Sequence, residues 1–268
     1  MQHVSILGRE GRMARRVAVW GIAALLLGST AAAGAAELRV LTTGASKAVV
    51  QAIATQFEVM SGHHIVLTSD TAGGVQRRVE AGETADVIVA TPAVLNALAA
   101  KSLIRAGSRT DLARTGIGVG VREGAPIPDI SSVEAIERLL RSAATIAYVD
   151  PASGGTSGIY FAGLIERLGL TEAMRPKTRL KAGGYVAELV ASGEAEVVFH
   201  QISEILPVRG VTLVGPLPPE IQSITTYSVG LAAVPAEDEA ARTFLIFLTS
   251  PASVPVLMEA GMEPARLP

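Results

Sequence analysis

Glu37-Leu38-Arg39-Val40-Leu41-Thr42-Thr43-Gly44-Ala45-Ser46-Lys47-Ala48-Val49-Val50 carries the first decisive pattern of this sequence. Leu38 to Leu41 reads as a short buried strand, and Val49 to Met60 as an amphipathic helix. Between them, Thr42 to Ser46 forms a turn of small and hydroxyl residues. The same alternation continues with Ile65 to Thr68, Val75 to Ala81, Val87 to Ala90 and Ala93 to Ala100. A βαβαβα series builds a parallel sheet with right-handed crossovers, and its ligands gather at the carboxyl ends of the strands.

A second series follows Pro126 and Pro128. The pattern predicts a helix over Ser132 to Arg141, a strand over Thr145 to Val149, a helix over Ser157 to Leu168 and a strand over Thr178 to Lys181. A helix over Val186 to Ser192 and a strand over Glu196 to Phe199 complete it. Gly116 to Val121 and Thr225 to Ala233 read as extended segments linking two lobes, with a helix over Glu237 to Leu248 returning to the first. The expected fold is therefore α/β and two-lobed, with two parallel-rich sheets and a two-strand hinge. Lobe 1 is expected at 37–117 plus 227–268, and lobe 2 at 118–226. No repeat of fixed period stands out.

Upstream, Arg9, Arg12, Arg15 and Arg16 precede the apolar run Val17 to Leu27 and the small residues Ala33-Gly34-Ala35-Ala36. This is the pattern of a secretory leader over 1–36, cleaved near Ala35 or Ala36. The apolar run is far short of the roughly 20 residues that span a bilayer. With no cysteine in the sequence, disulfides, thiolate metal sites and the usual lipoprotein anchor are excluded. The expected product is free in the periplasm. Without the leader, 19 Lys+Arg stand against 24 Asp+Glu, a formal charge of −5, which disfavours nucleic acid. Only 4% of residues are aromatic, too few for a surface that stacks sugars.

Four turns share one chemistry: Thr42 to Ser46, Asp70 to Gly74, Ala152 to Gly158 and Ala182 to Tyr185. Glycine lets the backbone approach a ligand, and a helix start offers unpaired N–H groups at the positive end of its dipole. Any one such turn is also an ordinary helix cap. Four facing one another would make an anion cradle, and Ser46, Thr71, Gly73, Thr156, Ser157, Gly184 and Tyr185 are its candidate ligand residues. Lys47 and Arg77 sit where a positive charge could join them. Gln201, at the end of a strand, could donate an amide, with His200 on the opposite face.

Other chemistries read less well. His63-His64 lacks further ligands at metal spacing and reads as a surface turn. Ser157 has no evident base beside it. Glu204 and Asp86 could be general bases, but capping, hinge or surface roles fit them better. No catalytic residue, metal or cofactor is expected.

Several segments resemble the molybdate-type substrate-binding proteins of ABC importers, within the type II periplasmic-binding-protein class. The likeness rests on Gln51 to Phe57, on Arg77-Arg78-Val79-Glu80-Ala81-Gly82 with Ala85-Asp86-Val87, on Asp150-Pro151 leading to Gly158-Ile159-Tyr160, and on Leu189-Val190 with Gly193-Glu194-Ala195. It covers nearly the whole mature chain. The resemblance implies a monomer that closes two lobes on a small anion and delivers it to an importer permease. The serine and tyrosine hydroxyls that such proteins use fall here on Ala45, Ala72 and Gln201. Two ligand classes stay open: a tetrahedral oxyanion of the molybdate or tungstate kind, or a small di- or tricarboxylate. A ligand-sensing module for a membrane receptor and a dehydratase- or deaminase-like enzyme on the same fold are the alternative functions.

Overall fold

A computed structural model describes Met1 and residues 35–265. The expected leader from Arg9 to Gly34 falls outside the described residues.

The first series is laid down as β1 (Glu37–Thr43), α1 (Gly44–Ser61), β2 (His64–Asp70), α2 (Ala72–Glu80), β3 (Val87–Ala90) and α3 (Pro92–Ala100). β1 pairs in parallel with β2, Leu38 facing Ile65, and with β3, Val40 facing Val87. β3 is buried at every position because helices cover both faces of the sheet. One face packs Val49, Ile53 and Phe57 of α1 against Leu38 and Val40, and the other packs Val75 and Val79 of α2 against Leu41 and Ile88.

β4 (Thr110–Arg122) then crosses the molecule. The second series follows as α4 (Val133–Ser142), β5 (Ile146–Val149), α5 (Thr156–Arg167), α6 (Thr171–Met174), β6 (Thr178–Lys181), α7 (Glu188–Ser192), β7 (Val197–Gln201), α8 (Ile202–Ile205) and β8 (Val211–Pro216). β5 pairs in parallel with β6 and β7. Phe161 stacks on Phe199 and meets Tyr148 edge-on, filling the centre of this half. The chain returns through β9 (Ile224–Leu231), α9 (Asp238–Leu248), α10 (Val254–Glu259) and β10 (Glu263–Pro264), and Phe244 packs on Phe57 of α1.

The strands run in the order β2-β1-β3-β9-β4-β7-β5-β6, with β8 and β10 also against β4. β4 joins the two halves: Thr110 to Gly116 pair with β9, and Ile117 to Val121 with β7. The fold is the two-lobed α/β architecture expected from the alternating patterns.

Three local readings change. α1 begins at Gly44, so Ser46 and Lys47 already lie in its first turn. β8 was not legible because its residues are only half-buried and Gly215 interrupts them. The helix expected from Val186 starts at Glu188 and runs five residues, so the fourth turn is a loop rather than a helix start. Among the described residues no single helix is long and apolar enough to cross a membrane.

Candidate functional site

The carboxyl ends of β1, β2, β5 and β7 face one cleft. Its innermost space is a cavity of about 30 Å³ lined by Gly44, Ala45, Thr71, Thr156, Ser157, Gly184 and, at the floor, His200, Glu204 and Tyr227. Two helices, one from each half, begin at this cavity without side-chain caps. Thr43 makes no capping bond to α1, and Gly155 has no side chain with which to cap α5. The opening N–H groups and positive dipole ends of an 18-residue and a 12-residue helix are therefore left for an anion. α2 differs, because Thr71 Oγ1 accepts from the Gly74 N–H.

The floor carries ionisable groups. His200 Nδ1 accepts from the Gln201 backbone N–H at 2.9 Å, which assigns the ring proton to Nε2. The same Nδ1 lies 3.2 Å from Ser157 Oγ and 3.4 Å from Glu204 Oε2. Nε2 is buried without a hydrogen bond of good geometry. Burial, opposed by a backbone interaction with Gly184 and assisted by the charge of Lys181, brings the His200 pKa down to about 4. Burial alone pushes Glu204 up to about 8. At neutral pH the pair is an imidazole beside a carboxylic acid, not an ion pair. The Tyr227 phenol is driven upward by burial and by the proximity of Glu204.

Of the residues singled out in the sequence, Thr71, Thr156, Ser157 and Gly184 line this cavity. Lys47, Gly184 and Tyr185 line an adjoining outer space of about 180 Å³ that shares Gly44, Asp70 and Gly184 with it. Ser46 is buried beneath, its Oγ accepting from Thr43 Oγ1 at 3.3 Å. Gln201 turns aside and donates from Nε2 to Thr225 and Thr156. His200, not Gln201, faces the cavity.

Gly73 and Arg77 serve a contact between the halves. The Gly73 N–H donates to the Gly154 carbonyl at 3.1 Å, and both Thr71 Oγ1 (2.6 Å) and Arg77 Nη2 (3.0 Å) donate to the Ser153 carbonyl. Arg77 thus spends its charge on a backbone oxygen. Asp86, considered as a base, instead accepts from the Arg39 and Ala236 N–H groups. His63 and His64 sit at the surface, bonded to the Ala36 N–H and to Glu58.

Sequence reasoning missed Tyr227 and the joint placement of Ser157, His200 and Glu204. A signal existed for part of it: His200 and Glu204 are four residues apart across the end of β7 and the turn of α8. Tyr227 lies in β9 and carries no comparable mark.

Residues 38–263 match the sequence profile of the bacterial extracellular solute-binding protein family. This chain belongs to that family. Over 258 residues it is 32% identical to a Pseudomonas protein named aconitate isomerase, covering 93% of this chain and 97% of the relative. The Azotobacter vinelandii periplasmic molybdate-binding protein superposes with a TM-score of 0.72 at 20% identity, covering 86% of this chain and 99% of the other. A tungstate-binding protein from Desulfovibrio alaskensis gives 0.60 at 15%, covering 87% of this chain and 100% of the other. The resemblance to molybdate-type binding proteins holds at the level of the fold.

Proposed function

We propose that this exported protein holds a small unsaturated polycarboxylate between its lobes and shifts a proton within it, as an allylic isomerase of the aconitate type. The observation that carries this reading is the buried set of Ser157, His200 and Glu204 on the cleft floor, which capture of an anion alone does not require. The 32% relative supports the same chemistry.

Aconitate has a carboxylate on each carbon of a three-carbon alkene. Moving a proton from the methylene to the far alkene carbon shifts the double bond by one position and yields the same connectivity, with either configuration about the new bond. One C–H bond breaks, another forms, and nothing is oxidised. N–H groups of α1 and α5 would neutralise charge that spreads onto a carboxylate as the proton leaves. Glu204, with a pKa of about 8, is mostly protonated at neutral pH, so its minor carboxylate form would take that proton and the acid so formed would return one to the far carbon. Ser157 and His200 would orient the acid and the bound carboxylate.

The lobes are proposed at 37–117 plus 227–268 and 118–226, closing about β4 and β9 on the ligand in the periplasm. A second reading, capture of an anion for an ABC importer, is favoured by the neutral cradle at the helix starts and by a fold shared with oxyanion-binding proteins.

Proton NMR of the mature protein with trans-aconitate in deuterium oxide separates the two. Appearance of cis-aconitate carrying deuterium, with loss of at least about 100-fold in rate in Glu204→Gln, supports the isomerase; one lost acid–base group costs about this much. Tight binding without conversion favours the transport reading.

A further inference from the structure

We infer that the outer cavity is a second carboxylate subsite and that Lys47 makes the cleft selective for polycarboxylates. This deepens the reading above and rests on it. The inner cavity of about 30 Å³ has room for only about two waters, so it takes one terminal group of a larger ligand. The outer space of about 180 Å³ shares Gly44, Asp70 and Gly184 with it. A branched acid anchored at the floor must project its remaining carboxylates there.

The outer space is lined by one ammonium, Lys47, and two carboxylates, Asp70 and Glu188. Arg77 is drawn to the Ser153 carbonyl. Arg78 is bonded to Glu83, and Lys181 to Glu188. Asp70 accepts from the Thr71 N–H and lies 3.8 Å from Arg78. Lys47 enters no ion pair among the described residues; its Nζ stands 5.7 Å from the centre of the Tyr185 ring. Lys47 comes from α1 and Tyr185 from the loop before α7, so the ammonium spans the mouth between the halves. An ammonium held over a ring face keeps its hydrogen-bond donors for a third group. A carboxylate entering beside Tyr185 would supply that group.

Titration calorimetry tests this with trans-aconitate and with mesaconate, which has a methyl group in place of the carboxymethyl arm. The wild type should bind the tricarboxylate at least about tenfold more tightly, equal to about 1.4 kcal/mol. Lys47→Gln should erase most of that preference while leaving mesaconate affinity within about twofold, with the melting temperature as a check on folding. An unchanged preference in the variant, or an equal loss for both ligands, overturns the subsite. If the wild type binds neither acid, the isomerase reading falls with it; if it converts aconitate and the preference survives Lys47→Gln, only the subsite falls.

Discussion

Glu204 Oε1 occupies the space that a side chain on Gly44 would need: a Cβ built on Gly44 would stand 2.5 Å from it. The absence of that one carbon lets an acid from α8 reach the start of α1 and sit among uncapped N–H groups. Gly44→Ala should therefore fold, because the end of the Glu204 side chain can swing away, yet it should displace the acid from the cavity. We expect turnover of trans-aconitate to fall by more than about tenfold, with the melting temperature lowered by only a few degrees, a shift that corresponds to about 1 kcal/mol or less. Full activity in this variant would show that the placement of Glu204 against α1 is not needed.

The same acid should mark the pH dependence of stability. Glu204 has a folded pKa of about 8, above its ordinary value of 4.5, so its contribution is fully present at low pH and lost as pH rises toward 8. His200 works in the opposite sense: with a folded pKa of about 4 against 6.5, it removes stability as pH falls below 6.5. Between 4.5 and 6.5 the two oppose each other. From 6.5 to 8 only Glu204 differs between the states, and stability should decline by roughly 1.4 kcal/mol per pH unit. Denaturant unfolding of the wild type across this range should show the slope, and Glu204→Gln should flatten it. Parallel slopes would place the Glu204 acidity outside the folded-state balance.

The frame of the molecule was legible because its segments obey local rules. Val87 to Ala90 and Thr178 to Lys181 are strands at the residues read from sequence. The turns before α1 and α5 followed from glycine and hydroxyl composition, although α1 starts at Gly44 rather than the Val49 read from sequence, and α5 at Thr156 rather than Ser157. The floor was harder to read. The acidity of Glu204 arises from burial under α1, whose Gly44 is remote in sequence, and no local pattern announces such burial. The fate of Arg77 was hidden for a related reason, since its partner is a carbonyl of the other half, and carbonyls carry no sequence signature. Gln201 and His200 were separated by strand parity, but the end of β7 turns into α8 and presents His200 to the cleft instead.

The contact between Gly73 and Gly154 should govern closure. A Cβ on Gly73 would stand 2.9 Å from Gly154 Cα, backbone against backbone, where no side chain can yield. Gly73→Ala should hold the halves apart and deny Ser153 its bonds from Thr71 and Arg77. A loss of about tenfold in ligand affinity, equal to about 1.4 kcal/mol, is expected. Small-angle scattering with saturating trans-aconitate should show compaction for the wild type and little for the variant. Equal compaction in both would mean that the halves close without this contact.

Ligand class should follow from the hydroxyls that the cleft lacks. Ala45 and Ala72 line the cavity at positions where the molybdate-type pattern calls for serines, and Gln201 is engaged with Thr156 and Thr225. A tetrahedral oxyanion would meet the N–H groups of two helix starts and Ser157 but would lack these other donors, each missing bond costing about 1 to 3 kcal/mol. A planar carboxylate needs fewer donors and can accept one more from protonated Glu204. In a thermal-shift series, trans-aconitate at 100 times its dissociation constant should add about 2.7 kcal/mol of stability, while molybdate and sulfate at the same concentration should leave the midpoint unchanged. Ser157→Ala should weaken trans-aconitate binding by about 1 to 3 kcal/mol through loss of a cavity donor. A large shift with molybdate, retained in Ser157→Ala, would instead mean that backbone N–H groups alone suffice for an oxyanion and that the cleft has kept the ligand class of its structural neighbours.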